Sequence, residues 1–234
     1  MIIYNGVDLE ELIPLKIEDI VVSPIQLNPV ARQRAIGSGA EFVRTVGGER
    51  KVTITFALLE MNREQRETDM QKLRTWAKPL SGKEYGLKLP QFEGRHLVCA
   101  CTMLPDHSYR KWFENKLRIE MTCFDNPFWT SDELMQANCG ATFSVGGDAP
   151  PLMTIERSGN ALNNQTYATD KAAMTFSKIP SGSLVIDLNR QTAAVGGTSI
   201  MGNYVPTSTW IKPKAGGNQR ITGSGVVKWR ERWV

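Results

Sequence analysis

Hydrophobic and polar positions alternate with a period of two over much of this chain, the signature of strands with one buried face. Lys51-Val-Thr-Ile-Thr-Phe is the clearest case, and it predicts a hairpin from Glu41 to Val46 and Glu49 to Leu58 turned by Gly47-Gly48. A smaller hairpin is predicted at Ile2 to Tyr4 and Val7 to Leu9, since Asn5-Gly6 takes the positive φ of a tight turn. Further strands are expected at Lys16 to Val22, Tyr85 to Leu89, His96 to Met103 and Lys116 to Phe124, the last placing Leu117, Ile119, Met121 and Cys123 on one face. The period changes near residue 62. Asn62 is suited to cap a helix running to about Lys78, with acids Glu64, Glu67 and Asp69 early and Met70, Leu73, Trp76 and Ala77 on one side; Pro79 ends it. Ser23 to Ala40 holds two prolines, separated glycines and no period, so it reads as a long excursion without an element.

Asp125-Asn-Pro-Phe-Trp marks a change of texture. Two adjacent aromatics at a strand exit lock an element end into a core or a domain junction, which singles out Asp125, Pro127, Phe128 and Trp129. Beyond Ser131 helix signals nearly vanish, and short strands recur every 8 to 12 residues between glycine-rich turns, the spacing of a β-sandwich. Candidates are Ala141 to Val145, Leu152 to Glu156, Ala172 to Phe176, Ser183 to Leu188, Thr192 to Val195, Thr209 to Ile211, Arg220 to Thr222 and Val226 to Trp233, with Asn189 suited to positive φ in the turn after Leu188. The expected fold is therefore mainly β: an α+β domain with one main helix over residues 1–130, then a β-sandwich over 131–234.

Composition narrows the function more by exclusion than by signal. The chain has 234 residues, enough to bury a core without disulfides or metals, and a net charge of +4. Residues 1–130 carry 18 basic and 17 acidic groups, and 131–234 carry 10 and 7, interspersed throughout. That dispersal argues against specific nucleic-acid binding, which needs basic groups gathered on one face. The first residues have no basic segment followed by an apolar one, and no apolar run approaches a membrane span, so no membrane insertion is expected and synthesis in a cytoplasm is.

Catalytic chemistry finds no foothold. Cys99, Cys101, Cys123 and Cys139 lack paired zinc-site spacing and read as buried free thiols. The two histidines, His96 and His107, leave no room for a three-histidine metal site and have no partner motif for general-base work. Ser81-Gly82-Lys83 fails as a phosphate loop because Ala77 stands where a glycine is needed and Glu84 where Ser or Thr is. Asp187-Leu-Asn-Arg offers oxygens for a cation or sugar but reads better as the tight turn between two strands, while Trp229 and Trp233 alternate as core aromatics do. No catalytic, cofactor or metal residue is assigned.

Taken in order, these motifs resemble those of the siphophage distal tail proteins, the Dit family. The opening strand with Asn5-Gly6, the glycine-containing excursion, the 41–58 hairpin, the 62–78 helix and the Asp125-Asn-Pro-Phe-Trp exit carry the likeness in the first half. Leu184-Val-Ile-Asp-Leu-Asn-Arg-Gln-Thr, Thr209-Trp-Ile-Lys-Pro-Lys-Ala-Gly-Gly-Asn and the closing Val226-Val-Lys-Trp-Arg-Glu-Arg-Trp carry it in the second. The family usually has Asp-Pro where this chain has Asn126-Pro127, and often Asn-Pro where it has Asn163-Asn164.

The resemblance implies a ring-forming N-terminal belt domain and a galectin-like C-terminal sandwich. It further implies a homo-hexamer in the virion tail tip, surrounding the genome-exit channel and joining the tail tube to the baseplate or tail fibre. Expected partners are the tail tube protein, the tail-associated hub or fibre protein and a receptor-binding protein, without cofactor. Within such a ring, Arg32, Arg34 and Arg44 are candidates to meet Glu41 or Glu49 of the next copy. The alternative is a carbohydrate-binding module of a host-adhesion device, working through Trp229 or Asp187.

Overall fold

The computed structural model describes residues 1–33, 40–59, 62–105 and 116–234. The chain divides into two compact units, Met1–Trp129 with Val234, and Thr130–Trp233.

The first unit opens with β1 (Ile3–Tyr4) and β2 (Val7–Asp8), joined through Asn5 and Gly6 at φ 51° and 78°. A short helix α1 (Leu9–Leu12) follows, capped by Asp8, whose carboxylate accepts from the Glu10 N–H. Next come β3 (Leu15–Val22), β4 (Leu27–Gln33), β5 (Ala40–Gly47), β6 (Arg50–Leu58), α2 (Arg63–Ala77), β7 (Tyr85–Lys88), β8 (Arg95–Met103) and β9 (Lys116–Cys123). Antiparallel pairing gives the order β3-β6-β9-β8-β7-β1-β2. Its buried face is drawn from alternate positions: Val52, Ile54 and Phe56 on β6, Leu97 and Cys99 on β8, and Ile119, Met121 and Cys123 on β9.

Helix α2 covers part of this core as its periodicity predicts. The Asn62 side chain accepts from the Glu64 N–H at 2.9 Å, and Lys78 closes the helix in the left-handed conformation at φ 45°. Met70, Leu73, Trp76 and Ala77 are buried. The Trp76 Nε1–H donates to the Val7 carbonyl at 2.9 Å, and the Tyr4 hydroxyl donates to the Cys99 carbonyl at 3.1 Å, so the opening hairpin is tied both to the helix and to β8.

Two sequence expectations are corrected here. Ser23 to Ala40 is not an elementless excursion, because β4 and β5 form an antiparallel ribbon with Leu27 opposite Gly47 and Gln33 opposite Ala40. Nor do Glu41 to Val46 and Glu49 to Leu58 form a hairpin with each other: β5 pairs with β4, whereas β6 is flanked by β3 and β9. Of the Gly-Gly pair, Gly48 is needed for close approach instead of a turn. A Cβ on Gly48 would stand 2.6 Å from the Asn28 side-chain nitrogen and 3.2 Å from the Gln26 carbonyl oxygen, to which the Gly48 N–H donates at 2.7 Å.

After β10 (Trp129–Ser131), the second unit contains β11 (Met135–Asn138), β12 (Thr142–Ser144), β13 (Ala149–Gly159), β14 (Leu162–Ala168), β15 (Ala173–Ile179), β16 (Gly182–Asp187), β17 (Thr192–Val195), β18 (Thr198–Ser199), β19 (Asn218–Arg220) and β20 (Val226–Trp233). One layer runs β18-β17-β16-β13-β20-β11; the pairs β14–β15 and β12–β19 supply the rest. Met153, Ile155, Leu184, Ile186, Val227 and Trp229 from that layer meet Phe143, Tyr167, Met174 and Phe176 from the pairs in one buried cluster, which makes the unit a β-sandwich. The mainly β class with one main helix is thus observed.

Local differences remain. Thr209 to Ile211 forms no ladder: Thr209 donates to the Ala173 carbonyl, and Trp210 is buried with its Nε1–H on the Leu188 carbonyl at 3.1 Å. The turn after β16 places Gln191, not Asn189, at positive φ (57°). Asn189 instead accepts from the Met153 N–H and donates to the Pro151 carbonyl, stapling the turn to β13. Strands β11, β14 and β18 had no counterpart in the sequence reading.

Candidate interface ribbon and its root

Of the five sequence-derived interface residues, the four that are described, Arg32, Glu41, Arg44 and Glu49, lie on or beside the β4–β5 ribbon. Arg32 and Glu41 are register partners within it, and Arg44 is paired with Val30. Glu49 is exposed just past the ribbon, and its carbonyl accepts from the Gln26 N–H at 3.1 Å. Arg34 lies outside the described residues, as does His107. On β4, Asn28, Pro29, Val30 and Ala31 are all exposed, Val30 at 39 %. Among the described residues neither ribbon strand pairs with a third strand, so each keeps one row of main-chain donors and acceptors without a ladder partner.

The root of the ribbon is firmly held. Ser23 clamps β6, its hydroxyl donating to the Lys51 carbonyl at 3.0 Å and accepting from the Lys51 N–H at 2.8 Å. Gly47 closes the ribbon against three side chains. A Cβ there would meet Ile25 Cγ2 at 3.6 Å, Phe128 Cζ at 3.7 Å and Pro127 Cγ at 4.0 Å. The structure therefore brings together two groups that the sequence presented separately, the ribbon and the Asp125–Trp129 segment. Pro127 is buried, Phe128 is half-buried and Asp125 is exposed. Trp129, buried, stacks on Phe92 with ring centroids 4.0 Å apart and planes inclined by 27°. Ile25 and Gly47 are the contributors that sequence reasoning missed, since nothing links position 47 to position 128 before folding.

The thiols behave as core groups. Cys99, Cys101 and Cys123 are buried, Cys139 is half-buried, and all are free. The Cys99 thiol is pushed well above the ordinary thiol range, first by its hydrogen bond with Cys123 and then by burial, while burial pushes Cys101 up to about 11. Such thiols are poor nucleophiles. Among the described residues no group of three or more His, Cys, Asp or Glu is arranged to hold a metal ion, and no helix is long and apolar enough to cross a membrane.

The residues singled out for sugar contact have other employment. Trp229 is 4 % exposed, with its ring 4.6 Å from that of Phe143, so its face is not presented to a ligand. The Asp187 carboxylate accepts from the N–H groups of Asn189 and Arg190 at 3.0 and 2.9 Å and shapes the turn.

Compared with known proteins, the sequence matches no family model and no curated protein. The structure does match. Over 100 % of this chain and 98 % of the other it superposes on the SPP1 Dit (gp 19.1) protein, described as a paradigm of the hub adsorption apparatus in phages that infect Gram-positive bacteria, with a TM-score of 0.74 at 12 % identity. A chain from the phage P2 baseplate in its activated conformation with Ca aligns over 93 % of this chain and 90 % of its own length, with a TM-score of 0.51 at 10 % identity. The chain thus has the Dit fold from end to end, and the likeness read from the order of its motifs holds at the level of fold.

Proposed function

We propose that this chain is a structural subunit of a phage tail tip. In this reading six copies close a ring that joins the tail tube to the baseplate or tail fibre and surrounds the path by which the genome leaves. The observation that carries it is the fold, shared over both full lengths with a phage hub protein. The function of such a part is geometric, which suits a chain in which Cys99, Cys101 and Cys123 are buried and Asp187 is consumed by a turn.

The β4–β5 ribbon is the element by which one copy meets the next. Its open edges suit strand addition, and a head-to-tail contact repeated around an axis closes without leaving those edges bare. Arg32, Arg34 and Arg44 then meet Glu41 or Glu49 of the neighbouring copy, individually weak contacts that set register more than affinity. The 131–234 sandwich acts as a docking platform for other baseplate or receptor-binding parts, and assembly takes place in the host bacterial cytoplasm.

Mass photometry of the purified protein, followed by negative-stain microscopy, tests this directly. The expected result is a particle of six times the 26.1 kDa chain with six-fold annuli. Monomer at every concentration, persisting when tail tube and hub proteins are added, would falsify the proposal. Reversing Arg44→Glu is expected to weaken the ring and a compensating Glu49→Arg to restore it.

A further inference from the structure

The second unit carries a groove of about 530 Å³ that none of the contacts above uses. Its floor and walls come from β12 and β19, the turn after β14, and the loop 211–216. Three cations, Lys212, Lys214 and Arg220, line it against one acid, Asp170. Among the described residues none of the three cations stands within ion-pair distance of a carboxylate, although elsewhere in the same unit Lys228 pairs with Glu156 at 2.6 Å. Gathering like charges around one concavity is unfavourable until an anion enters it.

The frame beneath these charges is fixed. The Arg220 Nε–H donates to the Gly140 carbonyl at 2.8 Å, which anchors the guanidinium and leaves its outer nitrogens for a ligand. The Gln219 side chain donates to the Lys214 carbonyl at 2.7 Å and pins the loop that carries the lysine, while Ala168 and Thr222 exchange backbone hydrogen bonds across the groove base. A groove already in shape loses less on binding than one that must be ordered.

We propose that this groove binds a phosphate ester of a polyol or sugar, with Lys212, Lys214 and Arg220 holding the phosphate and Asn218, Thr142 and Thr222 taking the hydroxyls. The lining argues against other anions. It includes no aromatic ring on which a nucleobase stacks, and its largest aliphatic side chain, Ile211, is only 2 % exposed, which leaves an acidic peptide without an apolar anchor. The volume suits a small ligand. The inference stands apart from the ring, since every residue invoked lies in one unit of one copy.

The test is a titration of the perdeuterated, ¹⁵N-labelled protein followed by transverse-relaxation-optimised NMR, which tolerates a particle of ring size, with glycerol 3-phosphate as monoester, glycerophosphoglycerol as diester, and glycerol, inorganic phosphate and sulfate as comparators. Saturable shifts confined to 168–170 and 211–222, with a dissociation constant of about 1 mM for one or both esters, are expected; which ester binds tighter tells a free metabolite from a polymer segment. Lys212→Ala with Lys214→Ala should weaken binding about tenfold, whereas Lys178→Ala, an exposed lysine outside the groove, should not change it. Equal response to sulfate and inorganic phosphate would mean an adventitious ion only, equal response to glycerol would remove the phosphate from the argument, and an unaffected double variant with unchanged melting temperature would overturn the assignment.

Discussion

Strand β6 and the β4–β5 ribbon lie next to each other in sequence and teach opposite lessons. Both edges of β6 are taken, by β3 and β9, and its inward side chains Val52, Ile54 and Phe56 are wholly buried. The ribbon has a ladder only within itself among the described residues, and Asn28 to Ala31 are exposed without regard to alternation. Pro29 sits there without difficulty because a strand with an open edge can spare an N–H. Alternation is therefore the imprint of a core on a strand, not a property of strands. Where the imprint is missing but the ladder persists, as in the ribbon and in β14, backbone pairing and not burial of side chains holds the strand.

The contrast can be broken most forcefully on the β6 side. Phe56→Ala should cost about 3–5 kcal/mol, read as a lower urea midpoint with an unchanged slope; a loss below about 1 kcal/mol would mean that β6 is not central. Alkali offers a gentler probe of the same core. The Cys101 thiol ionises near 9 when unfolded and at about 11 in the fold, so the unfolded chain gives up its proton first as pH rises. Stability contributed by this group is whole below pH 9 and drains away up to pH 11, on the order of 2 kcal/mol. Urea melts from pH 8 to 11 should show that decline, with a shallower slope in Cys101→Ala. Asn62→Ala, which removes a helix cap at the sheet's cover, should cost about 1 kcal/mol in thermal melts. Val30→Asp on the ribbon should sharpen the comparison from the other side: stability unchanged within about 0.5 kcal/mol, but ring formation lost in mass photometry.

What could be read in advance follows the same rule. Helix α2 and strand β20 were legible almost to their ends because burial had stamped a period on them: Met70, Leu73 and Trp76 in one, Val227 and Trp229 in the other. Strand β14 was illegible because Asn163, Asn164 and Gln165 look like a loop, and only Tyr167 on it is fully buried. Trp210 and Ile211 misled in the opposite sense, being buried yet held through a side-chain hydrogen bond and a single backbone contact instead of a ladder. The ribbon's root was out of reach, since Gly47 meets Pro127 and Phe128 only after some eighty residues have folded between them. The groove was scattered too, its cations at 212, 214 and 220 being brought opposite Asp170 by the sandwich.

The seat of Gly47 on Pro127 and Phe128 also fixes where this polypeptide can be divided. A truncation stopping at Asp125 would leave the root of the β4–β5 ribbon without Pro127 and Phe128, whereas one reaching Trp129 keeps both of them and the indole stacked on Phe92. Grafted cargo, or an exchange of one C-terminal half for another, therefore belongs no earlier than the end of β10 at Ser131.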